Sequence, residues 1–387
     1  MNSDAEDLEP LSITKDQGVV LQRLKYKKRI ATDPRKYQIG MDGDFAFDPM
    51  SLYYGAIGRI QDLGRGLISP DYVTFTVDRS VDHDFLEALL RWSHMHKEYE
   101  YLSETSNSRG KRRRLYWSVL IDLPILLPPL PEQKKIAAIL SSVDEAIQAT
   151  QAVIEQTRRV KEGLLQDLLT RGIGHTRFKQ TEIGEIPESW EIRRVDQLCQ
   201  VTSGATPLRS NQAYFDSGDV PWVKTMDLNG GVVSTTDESI TPLALAETSC
   251  KVLPVGTVMC AMYGGFRQIG RTGVLAMEAA TNQAISSMVL KPKAKLLPEF
   301  LNYFFVAHRP RWKGIAASSR KDPNITRQDV CGFKVAVPPV AEQHAIVDRV
   351  DALTAAIGEG EVALAAHRRV KAGLLQDLLT GKVRVSV

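Results

Sequence analysis

The chain has 387 residues, 43% of them hydrophobic and 25% charged, with a formal net charge of +3. That length and balance suit a globular protein of two or three domains and exclude a collagen-like or disordered chain. No stretch reaches the ~18 consecutive apolar residues of a membrane span, and the acidic start MNSDAEDLEP is no signal peptide, so a soluble, cytoplasmic protein without a membrane partner is expected.

In the first third, Gly43-Asp44-Phe45-Ala46-Phe47 and Tyr72 to Val77 read as strands, and Asp84 to Trp92 as a helix. Two basic runs stand here, Lys25 to Arg29 (KYKKR) and Arg109 to Arg114 (RGKRRR), the second followed by Leu-Tyr-Trp. Basic side chains gathered beside aromatics are the electrostatic footprint of phosphate contact, although a single run of this kind is more often a solvated surface.

After Pro128-Pro129 a helical pattern begins. Ile136, Leu140, Val143, Ile147, Thr150, Ile154, Thr157, Lys161, Leu164 and Leu168 keep strict 4-3 spacing, the seam of a coiled coil, and Gly172 follows as an exit signal. A helix of about 40 residues is ~60 Å long. Lys161 in the seam calls for a carboxylate such as Asp167, or for Asp377 at its counterpart, Lys371, unless the ammonium snorkels out.

From Ile186 to Val337 the chain returns to a mixed pattern. Pro221 to Lys224, Gly256 to Met262 and Ala284 to Leu290 are β-rich runs, and Pro298 to Phe305 is helical, with Phe300, Tyr303 and Phe304 on one face as core. A third basic group, Arg309, Arg311, Lys313 and Arg320, surrounds Trp312. The four cysteines, Cys199, Cys250, Cys260 and Cys331, lack C-x-x-C spacing and read as buried free thiols, with no metal site signalled.

The final segment repeats the first helix 210 residues later. Arg158 to Thr170 (RRVKEGLLQDLLT) and Arg368 to Thr380 (RRVKAGLLQDLLT) match at twelve of thirteen positions, and Pro128, Pro129, Glu132 and Gln133 recur as Pro338, Pro339, Glu342 and Gln343. Ile346, Val350, Leu353, Ile357, Gly360, Leu364, His367, Lys371, Leu374 and Leu378 form the second seam, and Gly381 the second exit. No insertion separates the opening from the close in either copy, so length is fixed while sequence drifts, as in a ruler. The expected fold is α+β: mixed α/β globules at 1–127 and 173–337 alternating with long helices at 128–172 and 338–387. The helices are expected to pair as an antiparallel coiled coil, giving a pseudo-twofold internal repeat.

This order, with Ile186-Pro187-Glu188-Ser189-Trp190-Glu191 opening the second globule and Gly-Leu-Leu-Gln-Asp-Leu-Leu-Thr closing each helix, resembles the specificity (S) subunit of type I restriction-modification systems over nearly the whole chain. The resemblance implies target recognition domains that each read half of a split double-stranded DNA site. It also implies helices that set the gap and dock two methyltransferase (M) subunits, and restriction-translocase (R) subunits that join for cleavage. S-adenosylmethionine would then belong to the M subunits, and ATP and magnesium to the R subunits, with no cofactor or catalysis in this chain. The first globule has no counterpart of the Ile186 to Ile192 opening, so a smaller or truncated first domain and a doubtful first half-site are expected.

Candidate DNA contacts are Tyr263, Arg267 and Gln268 in the glycine-rich loop, then Arg209, Asn211 and Lys224. Arg320 and Lys321 precede the last strand as Arg109, Lys111 and Arg112 do in the first domain, a repeated placement that favours phosphate. Arg158, Arg159, Gly163, Gln166 and Asp167, with copies at Arg368, Arg369, Gly373, Gln376 and Asp377, are solvent-facing positions matched between the copies and fit a repeated interface for a repeated partner. The competing reading is that they form ion pairs stabilising the helix pair, at ~0.3 to 0.5 kcal/mol each.

Other function classes leave weaker traces. Asp322-Pro323-Asn324-Ile325 lacks the second proline of a methyltransferase element, and neither a P-loop nor H-E-x-x-H occurs. A nuclease set of Pro70, Asp71, Glu132 and Lys134 loses its lysine in the second copy, where His344 stands. A coiled-coil scaffold without a DNA role explains the helices but not the basic, aromatic globules.

Overall fold

The computed structural model describes residues 2, 6–26, 33–105, 113–317 and 324–386. Two compact units emerge: residues 1–152 with 362–387, and residues 153–361. Each long helix is therefore shared between them. No helix among the described residues is long and apolar enough to cross a membrane.

In the first unit, β1 (Leu11–Thr14) and β2 (Gly18–Leu21) form a hairpin that runs into α1 (Gln22–Lys25). The strands β3 (Gln38–Met41), β4 (Phe45–Phe47), β5 (Ile57–Arg59), β6 (Arg65–Ile68) and β7 (Val73–Phe75) form a β3-β6 pair and a β5-β4-β7 sheet, all antiparallel. Strand alternation explains how Phe45-Ala46-Phe47 can be wholly buried: Phe45 and Phe47 face Leu86, Leu90 and Tyr99, while Ala46 joins Leu11, Ile13 and Ile60 on the opposite face. Then come α2 (His83–Leu90), α3 (Ser93–Leu102), the short β8 (Glu104–Thr105) and β9 (Arg113–Arg114) ladder, and α4 (Trp117–Leu120). Asp82 caps α2 by accepting from the Phe85 N–H at 3.0 Å. The helix α5 (Leu130–Arg171) follows without a break for 42 residues.

The second unit holds the β10 (Phe178–Thr181) and β11 (Gly184–Pro187) hairpin, β12 (Glu191–Arg194), α6 (Val195–Leu198) and β13 (Cys199–Ser203). Further on are β14 (Val220–Val223), β15 (Val232–Val233), β16 (Ser239–Ile240), α7 (Pro242–Glu247), β17 (Val258–Ala261), β18 (Thr272–Leu275), β19 (Ala280–Thr281) and β20 (Ile285–Leu290). A five-stranded sheet in the order β13-β20-β17-β18-β15 and a three-stranded sheet β16-β14-β19 result. After α8 (Pro298–Ala307), α9 (Arg309–Ala317) and α10 (Arg327–Gly332), β21 (Lys334–Val337) pairs back with β12 and leads into α11 (Val340–Leu379). Phe300, Tyr303 and Phe304 are core, as their spacing predicts. Cys199, Cys250 and Cys260 are buried free thiols, Cys331 is half-buried, and burial pushes the Cys199 and Cys260 thiols up to about 12.

Every seam position named above on α5 and α11 is buried or half-buried. Within the first unit, Thr150 Oγ1 lies 3.4 Å from His367 Nδ1, and Lys371 Nζ binds Asp144 at 2.5 Å. Within the second, Arg158 binds Glu361 at 2.5 Å, and a Cβ added at Gly360 would sit 2.8 Å from the Ile154 side chain. The seam lysines thus take different partners from those expected. Lys371 pairs with Asp144, and half-buried Lys161 is held below the usual lysine range by burial and opposed by Asp351, not by Asp167 or Asp377. Both helices end where glycine supplies a left-handed residue, Gly172 at φ 65° and Gly381 at φ 68°.

Candidate nucleic-acid interface

The repeated Pro-Pro-x-x-Glu-Gln opening is a clasp. Gln133 Oε1 accepts from the Asp82 N–H at 2.8 Å and its Nε2 donates to the Pro128 carbonyl at 2.8 Å. Gln343 repeats both bonds, accepting from the Leu297 N–H at 2.8 Å and donating to the carbonyls of Pro338 and Lys295, each at 2.9 Å. In both units the amide so held begins a helix of the globule, since Asp82 is the N-cap of α2 and Leu297 that of α8. The prolines supply the other half, because each clasp ends on the carbonyl of the first proline.

The neighbouring glutamates do a matching job with different partners. Glu342 accepts from the Trp190 indole at 3.0 Å and the Ile173 N–H at 2.9 Å, with His175 Nε2 at 2.8 Å. Glu132 is gripped by Arg384 through two bonds of 2.8 and 2.6 Å and by the Val385 N–H at 3.1 Å, and the Arg384 guanidinium holds its carboxyl below the usual range. The segment after each helix therefore closes on the glutamate at the start of the other. Glu132, weighed above for nuclease chemistry, is committed to this contact with Arg384 and Val385.

The candidate docking residues lie on the late turns of each helix. Arg158, Arg159, Gly163, Arg368, Arg369, Gly373 and Gln376 are exposed. Arg159 bonds Gln156 Oε1 at 2.8 Å, Gln166 donates to the Ala307 carbonyl at 2.9 Å, and Asp377 binds Lys382 at 3.1 Å. Asp167 is exposed, as are Val160 and its copy Val370. At Gly163 and Gly373 an added Cβ would meet nothing within 4 Å. Neither glycine serves packing among the described residues, although each costs helix stability of about 1 kcal/mol relative to alanine.

The candidate DNA residues of the second unit divide by charge balance. Arg209 and Lys224 both bind Glu238, at 2.7 Å each, and hold its carboxyl below the usual range. Arg209 also covers the rings of Phe215 and Trp222, at 4.6 and 4.9 Å. Asn211 caps a short 3-10 turn by accepting from the Ala213 N–H at 3.2 Å. Tyr263 and Arg267 are exposed, and Gln268 Oε1 accepts from Thr225 Oγ1 at 2.7 Å. Arg109, Lys111, Arg112, Arg320 and Lys321 lie outside the described residues, as does most of Lys25 to Arg29.

Among the described residues, the third basic group is helical and wraps a core residue rather than a surface aromatic. Arg309 to Ala317 is helix α9, and Trp312 is fully buried, stacked on Phe333 at 4.0 Å. Arg311 covers Phe333 from 4.3 Å, and burial lowers its pKa. What the sequence left unmarked is Arg271, which joins Arg267 and Arg309 around one cavity.

Comparison with known proteins comes down on one family. The family model described as "Type I restriction modification DNA specificity domain" matches residues 83–157 and 187–363. The type I restriction enzyme MjaVIII specificity subunit of Methanocaldococcus jannaschii is 28% identical over 68% of this chain and 63% of its own length, so the match spans less than two thirds of that relative. Among solved structures, a chain described under complex assembly and conformational transition of the type I R-M system aligns at TM-score 0.61 and 19% identity, covering 95% of this chain and 89% of that one. The type I restriction-modification S subunit from M. genitalium aligns at TM-score 0.56 and 14% identity over 96% and 93%. At these identities the structural likenesses speak for the fold.

Proposed function

Because the chain belongs to the type I restriction-modification DNA specificity family, we propose that it reads a bipartite DNA target for a methyltransferase complex and performs no catalysis itself. The observation that carries this reading is the duplicated clasp, in which each globule is held through a helix N-terminus by the glutamine opening one long helix. A reader fixed to a rod in this way transmits its position to the rod. The two seams are an antiparallel coiled coil in this account, relating the globules by a pseudo-twofold operation. A single chain then lets the two halves diverge and read a non-palindromic site, with half-site centres about one turn, ~10 bp, apart.

The twice-repeated surface around exposed Val160, Gly163 and Asp167, and around exposed Val370 and Gly373 with half-buried Asp377, is where two M subunits dock. These supply S-adenosylmethionine, and R subunits supply ATP and magnesium chemistry. The complex works in the cytoplasm.

The test is binding of the purified chain, alone and with its M subunits, to mixed-sequence duplex across a salt series. Phosphate contact requires log K to fall linearly with log salt. Absence of duplex binding at low salt in both samples would favour the scaffold reading instead.

A further inference from the structure

We propose that the cavity lined by Arg267, Arg271, Thr272 and Arg309 is a phosphate seat that takes one phosphodiester of the DNA backbone. The inference rests on the DNA-reading function above and assigns it a specific contact in the second unit.

The cavity has a volume of about 290 Å³ and is completed by Asn229, Gly230, Gly270 and Val306, with three guanidinium groups and no carboxylate among the described residues of its lining. Two of the three are held in place by uncharged acceptors. Arg271 donates from Nε to the Leu228 carbonyl at 2.6 Å and from Nη2 to the Met226 carbonyl at 3.4 Å. Arg309 donates from Nε to the Ile269 carbonyl at 3.2 Å and from Nη2 to the Arg267 carbonyl at 2.6 Å. Carbonyls fix the direction of a guanidinium without cancelling its charge. The contrast within the same unit is direct, since Arg209 and Lys224 spend their charge on Glu238.

Two like charges kept side by side with no counter-ion among the described residues cost free energy, and the pair shows it. Arg309 is held below the usual arginine range, first by burial and then by Arg271. An anion between them relieves that cost. Thr272 lines the cavity from β18, 1% exposed, and its buried hydroxyl has no hydrogen-bond partner among the described residues. A phosphate oxygen would give it one.

The geometry favours a backbone phosphate over a base edge. Base readout by arginine needs a fork of free N–H groups extended into a groove, whereas Arg271 and Arg309 each commit two donors to main-chain carbonyls. Short, pre-set cations position the duplex and leave sequence to other side chains.

The experiment is fluorescence anisotropy of the full chain on a mixed-sequence duplex from about 50 to about 200 mM salt. Arg271→Gln, Arg309→Gln and their double variant should each lower the salt slope by about 0.9, because one phosphate is shared; each then loses about 3.5-fold less affinity over that range than the parent chain. Arg267→Gln, whose exposed side chain makes no hydrogen bond or ion pair among the described residues, keeps the test open should the other two unfold; it should lower the slope in the same direction. Unchanged slopes in the folded variants overturn the proposal while leaving DNA binding intact, whereas a parent chain that binds no duplex overturns the functional reading as well. Inorganic phosphate, followed by phosphorus NMR, separates the sources. Saturable binding lost in Arg271→Gln, with no change in duplex slope, would make this a free-phosphate site and refute the DNA assignment.

Discussion

Replacing Gln343 by leucine isolates what the clasp contributes. The side chain is fully buried, and the change in volume is small, so the main effect is the loss of three hydrogen bonds: from the Leu297 N–H, to the Lys295 carbonyl and to the Pro338 carbonyl. Leucine can partner none of them. A buried backbone group left unpaired costs about 1 to 3 kcal/mol, so three at the low end give about 3 kcal/mol. With a denaturant dependence near 2 to 3 kcal/mol per molar for urea, the midpoint of the second unit should fall by roughly 1 to 1.5 M. Trp190, Trp222 and Trp312, all buried in that unit, report the transition by fluorescence. Gln133→Leu breaks two such bonds in the first unit and should cost less, about 2 kcal/mol. A loss under about 0.5 kcal/mol for Gln343→Leu would show that the clasp is incidental and that apolar packing alone holds globule to helix.

Three further outcomes are expected. Gly163→Ala and Gly373→Ala should each stabilise the free chain by up to about 1 kcal/mol, because the new methyl meets open space, yet weaken assembly with M subunits in a pull-down titration; stabilisation with unchanged assembly would remove the glycines from the interface. Deleting one heptad from both long helices shortens the rod by ~10.5 Å and should close the gap between methylated half-sites by ~3 bp or abolish modification; an unaltered gap would sink the ruler. His308, stacked on Phe304 at 4.0 Å, is held below its usual 6.5 mainly by burial. The unfolded state therefore takes up a proton that the folded state refuses, so stability of the second unit should be full above pH 7 and decline as pH falls below 6.5. His308→Asn should flatten that decline in urea titrations followed by tryptophan fluorescence.

Much of the architecture could be read in the chain because it rests on periodicity. The 4-3 spacing picks out positions of α5 and α11 that are all buried or half-buried, since one narrow face must be covered and the pattern records which. The clasp was visible only as a repetition. Its meaning depends on Asp82 and Leu297, amides some 50 residues from their glutamines, and main-chain groups leave no trace in sequence. The seam lysines failed for a related reason: Asp144 meets Lys371 across 227 residues, so neighbours in the chain were poor guides. Trp312 stands among basic residues in the chain, and composition alone does not show that on α9 it points into the core against Phe305 and Phe333. Arg271 carries no mark in the sequence because its setting beside Arg309 exists only once β18 and α9 are folded.

The most direct test of the central claim is a single-molecule methylome of DNA from cells carrying the gene intact or deleted. The account predicts that deletion removes one bipartite methylated motif, two short defined blocks separated by an indifferent gap, and that restoring the gene restores it. A methylome that keeps every motif after deletion, in cells whose M subunits are expressed and active, would contradict the assignment of this chain as the reader of the target.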